Sequence, residues 1–486
     1  MIVERVSYNW AYSEDIPGSR CGPEDGPWPR PYQVLDEDEL WRELRILAKP
    51  QTAQLGEDAK YKADSINFQP SPKTKTQDRY VVTQLKVNER LWSFTGVFDG
   101  HLGDVTVEHV AHHLPIIVRE FLTKAEETNA GQHTAESISE LFNKAIMAFD
   151  DAIAHDVLDL FGGSVDKLAD YSDAQIREII NDQHKGGRNW RKARLCMYGT
   201  TALVALVDPD HKNLWIANIG DCQAIMVSPG NNAKDWKIEV MTTNHNGDND
   251  AELERVRNSH PGEPECIKDR RVLGALAPTR CLGDIPFKQP PAFTRRILYN
   301  LFPGFHNTSP WEEFLVRNQT PPYITAEPQI IHRRLDEIEP ASSTPLSNTP
   351  LPSRTSSASS IAKNMFRSSN NNSNTNTKAT TAPASPLPAT YSPLPRFLIL
   401  ASDGFADLCD GEGQKRIIES WARSMVMRNP LESVTDSEPG SRQDNMALRL
   451  LRRAIGGEDR FGVSRVLTLD MDVAWIDDTS IVVQTI

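Results

Sequence analysis

Paired cysteines, long apolar runs and an excess of basic charge are all missing from this chain. The six cysteines, Cys21, Cys196, Cys222, Cys266, Cys281 and Cys409, are scattered without a CxxC pair, so in a chain of this length they read as reduced core thiols rather than a disulfide framework. No run approaches the roughly 18 apolar residues of a membrane-spanning helix, and none is expected to span one. Lys and Arg number 53 against 66 Asp and Glu, a net charge of -13, which argues against nucleic acid or an anionic membrane as the default partner. There is no GxxxxGK[ST], no GxSxG and no glycine-rich dinucleotide fingerprint, so nucleotide use and serine-nucleophile hydrolysis lack support. The opening "MIVERVSYNWAYSEDIPGSR" has neither an apolar signal core nor an acid-free, Arg-rich transit segment. Cysteine usage favours a reducing compartment, and import into a mitochondrion has no support from this segment.

The 486 residues suffice for one large domain or two ordinary ones. Residues 1–54 read as an extension that docks by one helix: after the loop "CGPEDGPWPRPYQ" comes "DEDELWRELRILA", with Leu40, Leu44 and Leu47 on one face behind acidic first-turn residues. Within residues 55–486 the pattern changes to short apolar strands, "RYVVTQL", "LWSFTGVFD", "TTALVALV", "LWIANIG" and "QAIMVS", with two long helical stretches between them. The first helix, from Asp104 to about Glu126, sets Val107, Val110, Leu114, Ile117 and Phe121 on one stripe, with a kink expected at Pro115. A second block holds "FLILASDGF", helices near 413–426 and 443–455, and the closing strand "TSIVVQTI". The fold class expected is α+β: two antiparallel sheets packed face to face with helices outside, a four-layer α-β-β-α sandwich. Between the blocks, about residues 340–392, lies a low-complexity insert. In its stretch 341–390, 40 of 50 residues are Ser, Thr, Asn, Pro or Ala and none is acidic, too few apolar groups to offset the entropy of ordering.

Three strand-like runs end in aspartate: "GVFDGH" at Asp99, "LILASDG" at Asp403, and "VAWIDDTSIVV" at Asp477 with Asp478. Singly, each is ordinary Asp-Gly or turn chemistry. Together they matter more, because a carboxylate at the end of a buried strand is costly unless paired or metal-bound. Hard divalent cations take a few carboxylates, retained waters and substrate phosphate.

The order of seven motifs, "VFDGH", "YGTTALVAL" from Tyr198, "ANIGDCQA" from Ala217, "NHNGDNDAELERVRNSHPGE" from Asn244, "RVLGALAPTRCLGD" from Arg271, "ASDGFADL" from Ala401 and "DDTSIVV" from Asp477, resembles that of metal-dependent serine/threonine protein phosphatases of type 2C. The similarity covers roughly residues 60–486 apart from the insert. "QDRYVV", "LGALAPTRCLGDIPFK", "PPYITAEPQI", "LLRRAIGG" and the double Asp of "DDTS" are similar to the pyruvate dehydrogenase phosphatase branch.

That resemblance implies hydrolysis of phosphoserine and phosphothreonine in a phosphorylated protein substrate, with the E1 component of pyruvate dehydrogenase as one candidate. It implies two Mn²⁺ or Mg²⁺ ions bridged by Asp99 and a water, with Asp403 and Asp477 on one ion and the Gly100 carbonyl on the other. The bridging hydroxide attacks phosphorus, with no phosphoenzyme, and His101 gives the leaving oxygen its proton. Asp221 matches the aspartate of a third, looser metal, or else closes a hairpin turn. In place of the family's upstream Glu-Asp pair stand Gln77 and Asp78, so a neutral amide replaces one carboxylate beside a further candidate metal ligand. Lys73 occupies the place of a phosphate-gripping arginine, either as a point charge on phosphate or as a solvated loop lysine. Ala406 replaces the usual tryptophan of "ASDGFADL". These departures leave a second reading, a pseudophosphatase or phosphoprotein-binding scaffold with a weakened metal site.

Weaker constellations read as structure. His109 and His113 in "EHVAHH" are one helical turn apart, compatible with a zinc pair but without a third ligand, and are taken as a helix face. "NGDNDAE" hints at a calcium loop yet lacks the glutamate in register. The compartment expected is intracellular, cytoplasm or mitochondrial matrix, the latter by family resemblance only, and oligomeric state leaves no trace in the sequence.

Overall fold

The computed structural model describes residues 8–16, 18–25, 28–71, 74–129, 134–230, 235–305, 311–337, 395–409, 413–426, 445–471 and 474–486. The low-complexity insert and Lys73 lie outside these residues.

Two antiparallel sheets form the centre. The five-stranded sheet runs in the order Gln329–Arg334, Asn213–Ile219, Ala202–Val207, Arg90–Phe98, Arg79–Val87. The six-stranded sheet runs Trp236–Val240, Gln223–Pro229, Phe397–Ala401, Thr479–Thr485, Tyr61–Phe68, Gln51–Leu55. Their facing sides share one core, in which Val97, Leu203, Ala205 and Ile216 of the first meet Ala63, Ala224, Leu398 and Val482 of the second. Ala202–Val207 is buried at every position, which is why it reads as an unbroken apolar run rather than an alternating one.

Helices Val105–Asn129 and Ala135–Leu158 cover the outer face of the five-stranded sheet. Val107, Val110 and Leu114 are buried as expected, but in the second half of the first helix Val118 and Leu122 are the fully buried residues, with Ile117 and Phe121 only partly so. This helix runs unbroken through Pro115. Glu37–Ala48, Gln414–Val426, Met446–Ala454 and Arg460–Thr468 cover the outer face of the six-stranded sheet. The four layers are therefore α-β-β-α, as the strand and helix pattern implied.

The amino-terminal segment belongs to this core. Asp36 caps helix Glu37–Ala48 by accepting from the Glu39 N–H, and Glu39 returns the bond. Leu40 and Leu44 are fully buried, each contributing about 1.5–3 kcal/mol by apolar burial. Strand Gln51–Leu55 follows directly and pairs with Tyr61–Phe68, so the sheet runs across the position where the extension meets the rest. Upstream, Tyr8–Ala11 pairs with Arg30–Gln33, and Ala11, Ile16, Cys21 and Tyr32 enter the same core. Between residues 153 and 324 two smaller apolar clusters hold a lobe of short helices and loops beside the strand ends.

Candidate metal centre

Strand Arg90–Phe98 delivers Asp99 to the edge of the sandwich, where the Asp99 N–H donates to Thr201 Oγ1 at 3.1 Å and its carbonyl accepts from the Thr201 N–H at 2.9 Å. Gly100 follows because nothing larger fits: a Cβ there would lie 2.7 Å from Val107 Cγ1 and 2.8 Å from the Gln77 carbonyl oxygen. That close approach brings the Gln77-Asp78 backbone against the Asp99-Gly100 turn. Asp403 opens the short helix that follows strand Phe397–Ala401. Asp221 sits in the turn between Asn213–Ile219 and Gln223–Pro229, and its Oδ2 accepts from Asn246 Nδ2 at 2.9 Å. Asp477 and Asp478 precede the closing strand Thr479–Thr485.

These strand ends converge. Carboxylate oxygens of Asp99, Asp221 and Asp403 all lie within 4.8 Å of one another, although the residues come from three distant parts of the chain. Asp78 is buried beneath them. Neither Asp78 oxygen accepts a well-formed hydrogen bond, and Asp403 Oδ1 and Gln77 Oε1 are likewise buried without a partner. The second aspartate of the closing pair has a different role: Asp478 accepts from the Gln77 N–H at 2.6 Å and from Gln69 Nε2 at 2.9 Å, tying the Gln77 segment to the closing strand.

The electrostatics follow from crowding like charges in a buried place. Burial pushes Asp99 well above the usual carboxylate range, and Asp78, Asp403, Asp221 and Asp477 push it further. Asp78 rises to about 7 through burial and its Asp478 neighbour, the Ser402 and Ser480 hydroxyls offsetting part of the rise. Asp221 rises to about 6 through burial and Asp403. Asp477 rises to about 8 through burial and Asp403, against the pull of Arg20. Several buried carboxylates with unpartnered oxygens and little compensating cation fit a hard dication, whose charge would reverse each of these shifts.

Among the described residues Arg20 brings to the centre a cation that sequence motifs did not reveal. Arg20 Nη2 pairs with Asp477 Oδ2, and the Arg20 N–H donates to the Trp475 carbonyl at 2.7 Å. Arg20 belongs to a Pro- and Gly-rich loop with no periodicity to signal it.

His101 lies beside the acidic cluster but faces another partner: its Nε2 is 2.7 Å from Asp284 Oδ2. Burial alone would lower its pKa, yet the Asp284 carboxylate more than offsets this and holds it above the ordinary histidine value. The His109 and His113 rings lie tilted to each other at 4.2 Å, and His109 stacks on Phe149 at 5.6 Å. Among the described residues neither joins a ligand cluster. Burial and its histidine neighbours push His109 down to about 4. Asn249 of "NGDNDAE" caps helix Asp250–Ser259 by accepting from the Ala251 N–H, giving that segment a structural use.

The protein phosphatase 2C family profile matches residues 163–339. A protein phosphatase 2C homolog of Schizosaccharomyces pombe is 24% identical over 429 residues, which span 84% of this chain and 76% of that protein. Over these stretches this chain is similar to the protein phosphatase 2C family. Its relatives include mitochondrial pyruvate dehydrogenase (acetyl-transferring) phosphatase 1 from Saccharomyces cerevisiae, 28% identical over 246 residues, and from Homo sapiens, 35% identical over 150 residues. The matched parts cover 50% and 30% of this chain but only 39% and 27% of those two proteins. Among the described residues no helix is long and apolar enough to cross a membrane.

Proposed function

We propose that this chain is a protein serine/threonine phosphatase dependent on Mn²⁺ or Mg²⁺. One observation carries the reading: the carboxylates of Asp99, Asp221 and Asp403 meet within 4.8 Å, beside buried Asp78 and Asp403 oxygens that accept no well-formed hydrogen bond. Asp99, Asp403, Asp477, Asp78 and the Gly100 carbonyl would hold two ions, and Asp221 with Asp403 a third. Bound there, Mn²⁺ or Mg²⁺ supplies charge that makes water nucleophilic near neutral pH and offsets the phosphate's own charge.

The protein's part is to orient and to protonate. The leaving serine or threonine oxygen departs as an alkoxide unless it receives a proton, and His101 is the neighbouring group able to give one. Strand ends fixed by the two sheets hold the carboxylates in place, so little reorganisation is needed as phosphorus is attacked.

The test is direct. Purified full-length protein should release phosphate from phosphoserine and phosphothreonine peptides with Mn²⁺, lose that activity to a chelator, and lose it with Asp99→Ala or Asp403→Ala. Activity that survives both chelation and substitution contradicts the metal mechanism.

The substrate we propose to test first is the phosphorylated E1 component of pyruvate dehydrogenase, in a mitochondrial matrix, supported by the names of the yeast and human relatives. A preference of at least tenfold for phosphorylated E1 over an unrelated phosphoprotein supports it, and equal rates contradict it. A second reading, phosphoprotein binding with weak turnover, draws on Gln77, whose buried amide oxygen stands where the family pattern has a carboxylate.

A further inference from the structure

Beside the acidic cluster a second small sheet is built from three two-residue strands: Gly100–His101, Gly199–Thr200 and Leu282–Gly283. Gly199–Thr200 is the middle strand. His101 pairs with Gly199 on one side and Gly283 pairs with Gly199 on the other. The register therefore sets His101 and the residue after Gly283, Asp284, on either flank of one glycine. Their side chains close over it: Asp284 Oδ2 lies 2.7 Å from His101 Nε2.

The space for that contact exists only because position 199 has no side chain. A Cβ on Gly199 would fall 1.9 Å from Asp284 Oδ2 and 2.6 Å from His101 Nε2. Asp284 is also held in an uncommon backbone state, with φ 49 and ψ 44. This left-handed region is reached by few non-glycine residues and tends to mark positions where a side chain must be aimed. Neighbouring groups fix it there. The Asp284 N–H donates to the Tyr198 carbonyl at 3.0 Å, and the Gly283 N–H donates to buried Asp150 at 2.8 Å. Lys288 Nζ bridges Asp150 and the Cys281 carbonyl at 2.6 and 2.8 Å. Asp284 itself is 1% exposed, and a buried carboxylate needs a partner, which His101 is.

We propose that Asp284 is a positioning residue that aims His101 at the leaving oxygen of the phosphoester. The inference rests on the phosphatase reading above. With Nε2 engaged by Asp284, Nδ1 is the ring nitrogen left for the substrate, and the Asp284 carboxylate, an acceptor only, selects the ring in which Nε2 carries hydrogen. In the reaction a water oxygen forms the new bond to phosphorus and the bond from phosphorus to the serine or threonine oxygen breaks. That oxygen takes the Nδ1 proton of the doubly protonated ring, and the neutral ring, which keeps its Nε2 hydrogen, regains one from the water consumed. The products are the free hydroxyl and inorganic phosphate.

This role has a signature that a scaffold role lacks. A nitrophenolate leaves without help, whereas an alkoxide needs a proton. In the full-length Mn²⁺-loaded protein, Asp284→Asn should lower kcat on a phosphoserine peptide by about 10²-fold, with a loss at least about ten times smaller on p-nitrophenyl phosphate. The double variant Asp284→Asn with His101→Gln should be no slower on the peptide than His101→Gln alone. Equal losses on the two substrates, no loss on the peptide, or additive losses in the double variant overturn the proposal. If unaltered protein hydrolyses neither substrate, the phosphatase reading fails instead. The dyad is then still tested by ¹⁵N-histidine labelling of the unaltered chain, as it is should Asp284→Asn not fold. A hydrogen-bonded Nε2–H on His101 is expected, and an Nε2 without hydrogen contradicts it.

Discussion

The guanidinium of Arg20 rests on the carboxylate of Asp477, 457 positions along the chain. A loop from the amino-terminal segment thus places a fixed positive charge on a residue proposed to hold a divalent cation. The two cations cannot share Asp477 fully, so Arg20 is expected to compete with the metal. Arg20→Gln should tighten Mn²⁺ binding in calorimetry and lower the melting temperature of metal-free protein. The second effect should be under about 1 kcal/mol because the Arg20 side chain is 54% exposed. Weaker Mn²⁺ binding in the variant would show that Arg20 supports the site rather than competing for it.

Asp99 should trade stability for metal binding. Its carboxylate is buried and crowded by Asp78, Asp403, Asp221 and Asp477, so Asp99→Asn relieves repulsion when no cation is present. Melting in a chelator should rise by a few degrees, while stabilisation by added Mn²⁺ should shrink or vanish. A variant melting below the parent in chelator, and stabilised by Mn²⁺ as strongly, would contradict the crowding described here.

Gln77 separates the two functional readings. Its Oε1 is buried without a partner, and its N–H is fixed by Asp478. Gln77→Glu adds a carboxylate at the place the family pattern expects one. An affinity gain for Mn²⁺ on the order of tenfold, or about 1.4 kcal/mol, is the expected result. If turnover rises in step, the natural chain has a weakened site. Unchanged affinity would place Gln77 outside the reach of any ion.

The turn that carries Asp221 should be sensitive to acid. The Gly220 N–H donates to His245 Nδ1 at 3.2 Å and the His245 N–H donates to the Gly220 carbonyl at 3.0 Å. Burial pushes His245 down to about 4, helped by Arg280 and Arg255 and opposed by Glu252. Because this folded value lies below the ordinary 6.5, the unfolded chain binds more protons between the two. The stability due to neutral His245 is fully present above pH 6.5 and is lost as pH falls toward 4, up to about 3 kcal/mol. Urea melts across that window should show the slope, and His245→Gln should flatten it. An unchanged slope would assign the acid sensitivity elsewhere.

Part of the centre could be read before the fold was known, because Asp99 and Asp403 each follow an apolar strand and Asp-Gly marks a turn, whereas Asp477 precedes its strand rather than ending one. Asp99, Asp403 and Asp221 come together as separate strand ends must when two sheets share an edge. Other elements gave no periodic signal. Tyr61–Phe68 hides as a strand because Lys62 and Asp64 interrupt its pattern. Asp64 is nevertheless buried, accepting from Thr52 Oγ1 at 2.6 Å and from the Met446 N–H, at a helix start, at 2.7 Å. Helix Arg460–Thr468 carries Gly462 in its first turn, which weakens a helical reading, and is rescued by Asp459 accepting from the Phe461 N–H. Arg20 and Asp284 escaped for a different reason. Their partners are set by long-range register, the first across nearly the whole chain and the second across Gly199, so although Asp284 closes the motif "RVLGALAPTRCLGD" its pairing with His101 leaves no local mark.

The central claim is that Asp99, Asp221 and Asp403 close around divalent cations. Anomalous diffraction at the manganese edge from crystals grown with Mn²⁺ tests it most directly. Peaks between these three carboxylates, with the Arg20 guanidinium displaced from Asp477, are the predicted result. Protein that hydrolyses phosphoserine peptide under the same conditions while the region between residues 99, 221 and 403 stays free of manganese would contradict it.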